Sequence, residues 1–140
     1  MLESLKQNLQ DSPSLRCIVI GSNDKVFSAG HDLKELTSKT GQDYHKTVFD
    51  VCSQVMLAIR NMPVPVIAEV KGVAAAAGCQ LVAATDIAIA SEEAMFSTPG
   101  ARVGLFCSTP GIEVARAANQ KTAAYMLFTG NFITANGKCF

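Results

Sequence analysis

At 140 residues, with 49% hydrophobic and 17% charged side chains, the chain matches one globular domain able to bury a sizeable core. Its 12 basic and 12 acidic side chains cancel and no basic block stands out, which argues against a nucleic-acid or anionic-membrane partner. Five scattered cysteines (Cys17, Cys52, Cys79, Cys107, Cys139) make no C-x-x-C pair and only two histidines accompany them, so they read as apolar fillers in a reducing compartment, not zinc ligands.

In chain order, Leu2, Leu5 and Leu9 recur at helical spacing until Pro13 ends the pattern. Residues 15–20 form a buried-strand candidate, closed by Gly21-Ser22-Asn23-Asp24. Residues 26–33 make a short apolar step, then Gly30, then a polar helix entry. An amphipathic helix is predicted over 43–60, with Val48, Val51, Val55 and Ile59 on one face, and Asn61-Met62-Pro63 stops it. A strand over 64–70 runs into Gly72-Val73-Ala74-Ala75-Ala76-Ala77-Gly78-Cys79-Gln80, a small-residue turn that opens an apolar helix. Residues 86–90 and 94–97 read as strands, 103–111 as a loop-rich passage, and 115–118 and 122–128 as short helices. Strands alternating with helices predict an α/β unit with parallel pairing. The least polar region, 64–90, is interrupted by Glu69, Lys71, Gln80 and Asp86, which argues against a transmembrane helix. Met1 is followed by no Arg/Ser-rich presequence or signal-peptide core, and Lys138-Cys139-Phe140 is no peroxisomal address.

In such folds, sites form where loops and helix starts meet the carboxyl ends of strands. Two small-residue loops meet that description, 28–32 and 72–78. The first N–H groups of a helix lack internal partners and carry partial positive charge, so the second loop is a candidate oxyanion or phosphate site. The alternative is that its alanines serve only close packing.

Four motifs in order, Phe27-Ser28-Ala29-Gly30-His31-Asp32-Leu33, the 72–80 stretch, Thr85-Asp86-Ile87-Ala88-Ile89-Ala90 and Ala94-x-Phe96-x-x-Pro99, resemble the crotonase, or enoyl-CoA hydratase/isomerase, superfamily. The resemblance covers most of residues 15–130. It implies a crotonase-like spiral of ββα units that binds acyl-CoA thioesters, works in fatty-acid and lipid metabolism, and needs no metal or separate cofactor. It further implies an oxyanion hole of two backbone N–H groups, at His31 and Ala77, with Ala29, Gly30, Asp32 and Gly78 shaping the ligand site. The Ala29 carbonyl matches a group that receives the adenine of coenzyme A. Lys25 is either an exposed turn lysine or a phosphate contact.

The two glutamates that hydratases of this family use fall at Gln80 and Gly100. An amide cannot take a proton near neutral pH and glycine has no side chain, so ordinary hydration is not expected. The reading is an acyl-CoA-binding protein defective as a hydratase. Its alternatives are a thioesterase or isomerase using the oxyanion hole, with the His31 imidazole as base or merely as a loop cap, and a non-catalytic subunit packed into a crotonase-type trimer. His45 is expected to be solvated, Asp86 to hold a turn, Glu113 to sit at a helix start, and Cys79 to pack. Ser108 falls where acyl-CoA hydrolases of the superfamily can carry an aspartate, with no partner base in view. The family's first two strands and its C-terminal trimerisation helices have no counterpart here, and residues 136–140 form an atypical tail. A mitochondrial location follows from the resemblance, without a visible import signal.

Overall fold

The computed structural model describes residues 3–5, 7 and 14–136. Of the first leucine pattern, Leu5 is helical and buried, while Leu2, Leu9 and Pro13 lie outside the described residues. The elements that follow are β1 (Ile18–Gly21), β2 (Val26–Ser28), α1 (Gln42–Arg60), β3 (Val66–Val70), β4 (Val73–Ala75), α2 (Ala77–Ala84), β5 (Ile87–Ala90) and β6 (Met95–Ser97). A 3₁₀ turn (Pro99–Val103), α3 (Ser108–Ala117), α4 (Gln120–Thr129) and β7 (Ile133–Thr134) complete the order.

Successive strands come in twos along the chain, and the two members of each set go to different sheets. The first of each pair joins a parallel sheet ordered β1-β3-β5, and the second joins a sheet ordered β2-β4-β6-β7, parallel except for the antiparallel β7. Each pair leads on to a helix, which is the repeating ββα spiral expected from the resemblance. Val66, Ala68 and Val70 of central β3 are fully buried, while Val19, Ile87 and Ile89 stand exposed on the other face of that sheet. Period two thus sorts the residues, as a sheet with one packed face requires.

The core lies in three clusters. Leu5, Met56, Ile59, Val66, Leu81 and Ala84 join α1 and α2 to the first sheet. Ala68, Val70, Ala74, Val82 and Ala94 fill the space between the sheets and α2, and Cys79, Val114, Ala123 and Met126 bind α2 to α3 and α4. Helix α2 therefore touches every layer, which fixes its position tightly.

Four expectations need correction. Residues 73–75 are a strand, because β2 and β6 pair with both edges of a segment whose alanines favour helix in isolation. No helix opens after Gly30: residues 33–40 are turns, and α1 begins only after Gly41 (φ 82°). The buried stripe of α1 runs through Cys52, Val55, Met56 and Ile59, leaving Val51 48% exposed. Helix α3 starts at Ser108, so Pro110 and Gly111 are helical; proline is tolerated in a first turn, where its missing N–H has no helical partner anyway.

Candidate functional site

Ala76 makes the turn between β4 and α2 with φ 50° and ψ −121°, a conformation that residues with a side chain rarely adopt. Two hydrogen bonds pin it: its N–H donates to the Ser97 carbonyl and its carbonyl accepts from the Gln80 N–H, both at 3.0 Å. The Gln80 bond is the first within α2, so the N–H groups of Ala77, Gly78 and Cys79 stand ahead of the helical ladder.

The other loop comes to meet this turn. Gly30 has φ 95°, and a Cβ placed on it would lie 2.9 Å from the Ala76 Cβ and 3.1 Å from the Ala77 nitrogen. Glycine there keeps the space before the Ala77 N–H open. On the other side, a Cβ on Gly78 would stand 2.2 Å from the Ser28 carbonyl oxygen, so the first turn of α2 rests directly on the end of β2. Two glycines thus bring the expected donor positions, His31 and Ala77, to one place.

Between them and α1 is a cavity of about 200 Å³. Ser28, Gly30, His31 and Ala77 line it together with Cys52, Val55, Met56 and Leu81. The half-buried His31 ring meets Phe49 edge-on, with centroids 5.1 Å apart. Asp32 turns back on its own loop, its Oδ1 accepting from the Lys34 N–H at 2.9 Å. Ala29 and Lys25 are exposed. The α1 side of the cavity escaped the sequence reading, although 52, 55, 56 and 59 are a helical stripe and carried the necessary signal.

Gln80 is buried within α2. Gly100 is buried too, and the space a side chain would need is filled: a Cβ there would be 2.5 Å from the Leu105 oxygen and 2.6 Å from the Cys107 Sγ. The Leu105 N–H donates to the Gly100 carbonyl at 2.9 Å, closing the two segments on each other.

Other carboxylates are committed elsewhere. Glu113 lies inside α3, not at its start; it is buried, its Oε2 paired with Arg60 Nη1 at 2.5 Å and its Oε1 3.6 Å from Arg116 Nη1. Asp86 exchanges two bonds with Val66, its Oδ2 accepting from the Val66 N–H and its own N–H donating to the Val66 carbonyl, which is the structural role expected. His45 is half-buried and its Nε2 lies 2.8 Å from Thr40 Oγ1 and 3.0 Å from the Thr37 carbonyl, so it fastens the turn segment and is not simply solvated. Ser108 is exposed at the first position of α3. Cys79 packs as expected, and burial pushes its thiol up to about 12.

A larger cleft, about 480 Å³, opens beside Cys79, Arg60, Arg116 and Phe96 but includes neither His31 nor Ala77. The smaller cavity is therefore the candidate site. Among the described residues no three His, Cys, Asp or Glu side chains gather as a metal site, and no helix is long and apolar enough to cross a membrane.

Known proteins resemble the chain in sequence and in fold. The chain is 59% identical over 138 residues to human "Enoyl-CoA hydratase domain-containing protein 3, mitochondrial", covering 96% of this chain and 46% of that one. It is 32% identical over 139 residues to the mitochondrial enoyl-CoA hydratase of Pongo abelii, covering 96% and 47%. It thus spans about half the length of the curated relatives it matches. The crystal structure of human enoyl Coenzyme A hydratase domain-containing protein 3 superimposes with TM-score 0.88 at 58% identity, covering 96% of this chain and 55% of that one. The enoyl-CoA hydratase family model for "Enoyl-CoA hydratase/isomerase" matches residues 1–137, and the chain belongs to that family, a branch of the crotonase superfamily.

Proposed function

We propose that this chain binds acyl-CoA thioesters, holds the thioester carbonyl with the backbone N–H groups of His31 and Ala77, and does not hydrate enoyl-CoA. The observation that carries the reading is the meeting of Gly30–His31 with the strained start of α2 around one cavity. Fixed backbone donors aimed at a carbonyl oxygen stabilise charge that develops there, at little reorganisation cost. They need no particular side chain, only the backbone path, and the path is held by Gly30, Gly78 and the Ala76–Ser97 bond.

Hydration needs more than an oxyanion hole. A positioned acid or base contributes on the order of 10²–10⁴ in rate, and the two family positions here hold Gln80 and Gly100. The packing against Leu105 and Cys107 supports the view that Gly100 is built into this chain's structure and is not an incidental gap. Nor do Asp86 and Glu113 supply a free base, since Val66, Arg60 and Arg116 engage them. The mitochondrial names of the relatives favour the same compartment, and lipid metabolism as the setting.

Calorimetric titration with acetyl-CoA and with a non-hydrolysable thioether analogue tests the binding. Saturable heat with both is expected; no heat and no thermal shift from either would end the acyl-CoA reading. Crotonyl-CoA should stay unhydrated, and turnover within the usual range of about 1–10³ s⁻¹ would show that an acid–base pair lies elsewhere.

A further inference from the structure

We infer that His45 is a positioning residue for the site: through the segment 32–40 it holds the His31 peptide in place for a bound carbonyl. The inference rests on the acyl-CoA reading and assigns a role to a residue that stands outside the cavity lining. Gly30, at φ 95°, sets the backbone path on the N-terminal side of His31. On the C-terminal side residues 33–40 are turns and bends, with no strand or helix to hold them. A chain of hydrogen bonds holds them instead. The Asp32 carbonyl accepts from the Glu35 N–H at 3.0 Å, and the Glu35 carbonyl accepts from Thr40 Oγ1 at 2.7 Å. Thr40 Oγ1 in turn lies 2.8 Å from His45 Nε2, which is also 3.0 Å from the Thr37 carbonyl. The Thr40 N–H donates to that same carbonyl at 3.1 Å and closes the segment on itself. The chain thus runs from the residue that follows His31 to a side chain on α1.

Two features make His45 the anchor. A carbonyl only accepts, so the contact with Thr37 assigns a proton to Nε2, and a neutral imidazole carrying it there already donates. Helix α1 also supplies a second hold one turn on: Phe49, four residues along the same face, meets the His31 ring edge-on at 5.1 Å. One helix face therefore grips both ends of the segment, the His31 ring at one and residues 37–40 at the other. A surface segment held mainly by exposed hydrogen bonds is among the first parts of a fold to open. Without His45, the peptide that carries the His31 N–H loses the anchor on its C-terminal side.

The test compares acetyl-CoA with S-ethyl-coenzyme A, which has the same length but no carbonyl oxygen, by calorimetric titration. The ratio of the two affinities reads the hold on the carbonyl. It should fall about fivefold in His45→Leu, the worth of one hydrogen bond, with the affinity for S-ethyl-coenzyme A unchanged. His45→Gln, whose amide nitrogen reaches as far as the ring Nε2, should restore it. Thr40→Val cuts the same chain one link earlier at nearly constant size; it should lower the ratio equally, and it carries the test if His45→Leu does not fold. Thr47→Val, which removes a hydroxyl bonded to the Asp43 carbonyl within α1, is the control and should change nothing. Without ligand, amide exchange at Glu35 and Thr40 should quicken in His45→Leu while β3 stays slow. A ratio unmoved by His45→Leu and Thr40→Val, equal loss of both ligands, no rescue by glutamine, or unchanged exchange at Glu35 and Thr40 would each overturn the inference and leave acyl-CoA binding intact. A parent protein that binds neither ligand, or binds both alike, would instead overturn the functional reading and the inference with it.

Discussion

Replacing Gly78 by alanine tests whether the fold and the candidate site share one contact. The added Cβ would meet the Ser28 oxygen at 2.2 Å and the Ser28 Cβ at 2.6 Å, and both atoms are fixed to β2 or part of it. Ordinary contact begins near 3.5 Å, so the first turn of α2 must retreat by roughly an ångström. Overpacking of this kind costs about 1–3 kcal/mol. At about 2–4 °C per kcal/mol for a chain near this size, the thermal midpoint should fall by roughly 2–12 °C. The same retreat draws the Ala77 N–H away from His31, and losing one such hydrogen bond weakens binding of a thioester by about tenfold. Thermal denaturation and titration with acetyl-CoA read the two effects. Gly104→Ala is the control: its φ of 76° imposes strain, yet nothing lies within 4 Å of the added Cβ, so it should destabilise by about 1–2 kcal/mol without touching affinity. A Gly78→Ala protein that melts and binds like the parent would refute the close approach. Equal loss of affinity in Gly104→Ala would show that binding tracks stability alone.

Gly100→Ala should lower stability by about 1–3 kcal/mol, because its Cβ meets the Leu105 backbone oxygen; Gly111→Ala, facing the movable Leu127 Cδ2 at 3.2 Å inside a helix, should be near neutral, and equal melting shifts would contradict this difference. Arg60→Ala should cost about 1–2 kcal/mol, less than the ~3–5 of a fully buried pair, since Arg60 is 40% exposed and Arg116 stays near Glu113. A double-mutant cycle with Glu113→Gln checks it, and zero coupling would mean that the pair contributes nothing. Cys79, its thiol raised to about 12 by burial, should resist alkylation at pH 8 while exposed Cys17 reacts. Because the folded state holds that proton more tightly, stability should decline as pH rises from the ordinary thiol value of 9.0 toward 12, and mass-spectrometric mapping of an alkylated native Cys79 would count against the packing described.

The sequence was most legible where periodicity and breakers agreed. The helix over 43–60 was bounded within a residue, since Gly41 and the Asn61-Met62-Pro63 stop act locally. Strand β3 was visible because a run buried on one sheet face and half-covered on the other is apolar almost throughout. Strand β4 was not, since what makes Val73–Ala75 extended is pairing to β2 and β6 across the chain. The start of α3 was hidden by Pro110-Gly111, which locally signals a loop although the Gly111 N–H reaches the Cys107 carbonyl at 2.8 Å. For the site, motif order pointed to both loops, but their convergence depends on the missing Cβ atoms of Gly30 and Gly78. The same hidden start of α3 makes Glu113 look like a helix-start residue, while the contacts of His45 lie in the turn segment 37–40, which has no periodic pattern to announce it.

Ala76 gives the site a thermal character of its own. A residue at φ 50° has no relaxed neighbouring state in which the same turn persists, so the turn is either held by the Ser97 and Gln80 bonds or abandoned. Loosening there is accordingly abrupt, a local melting confined to one peptide and its two bonds, while the buried strands beside it remain intact. The temperature at which the protein stops recognising its ligand can therefore lie below the temperature at which it unfolds, and the interval between them measures how firmly one strained alanine is kept in place.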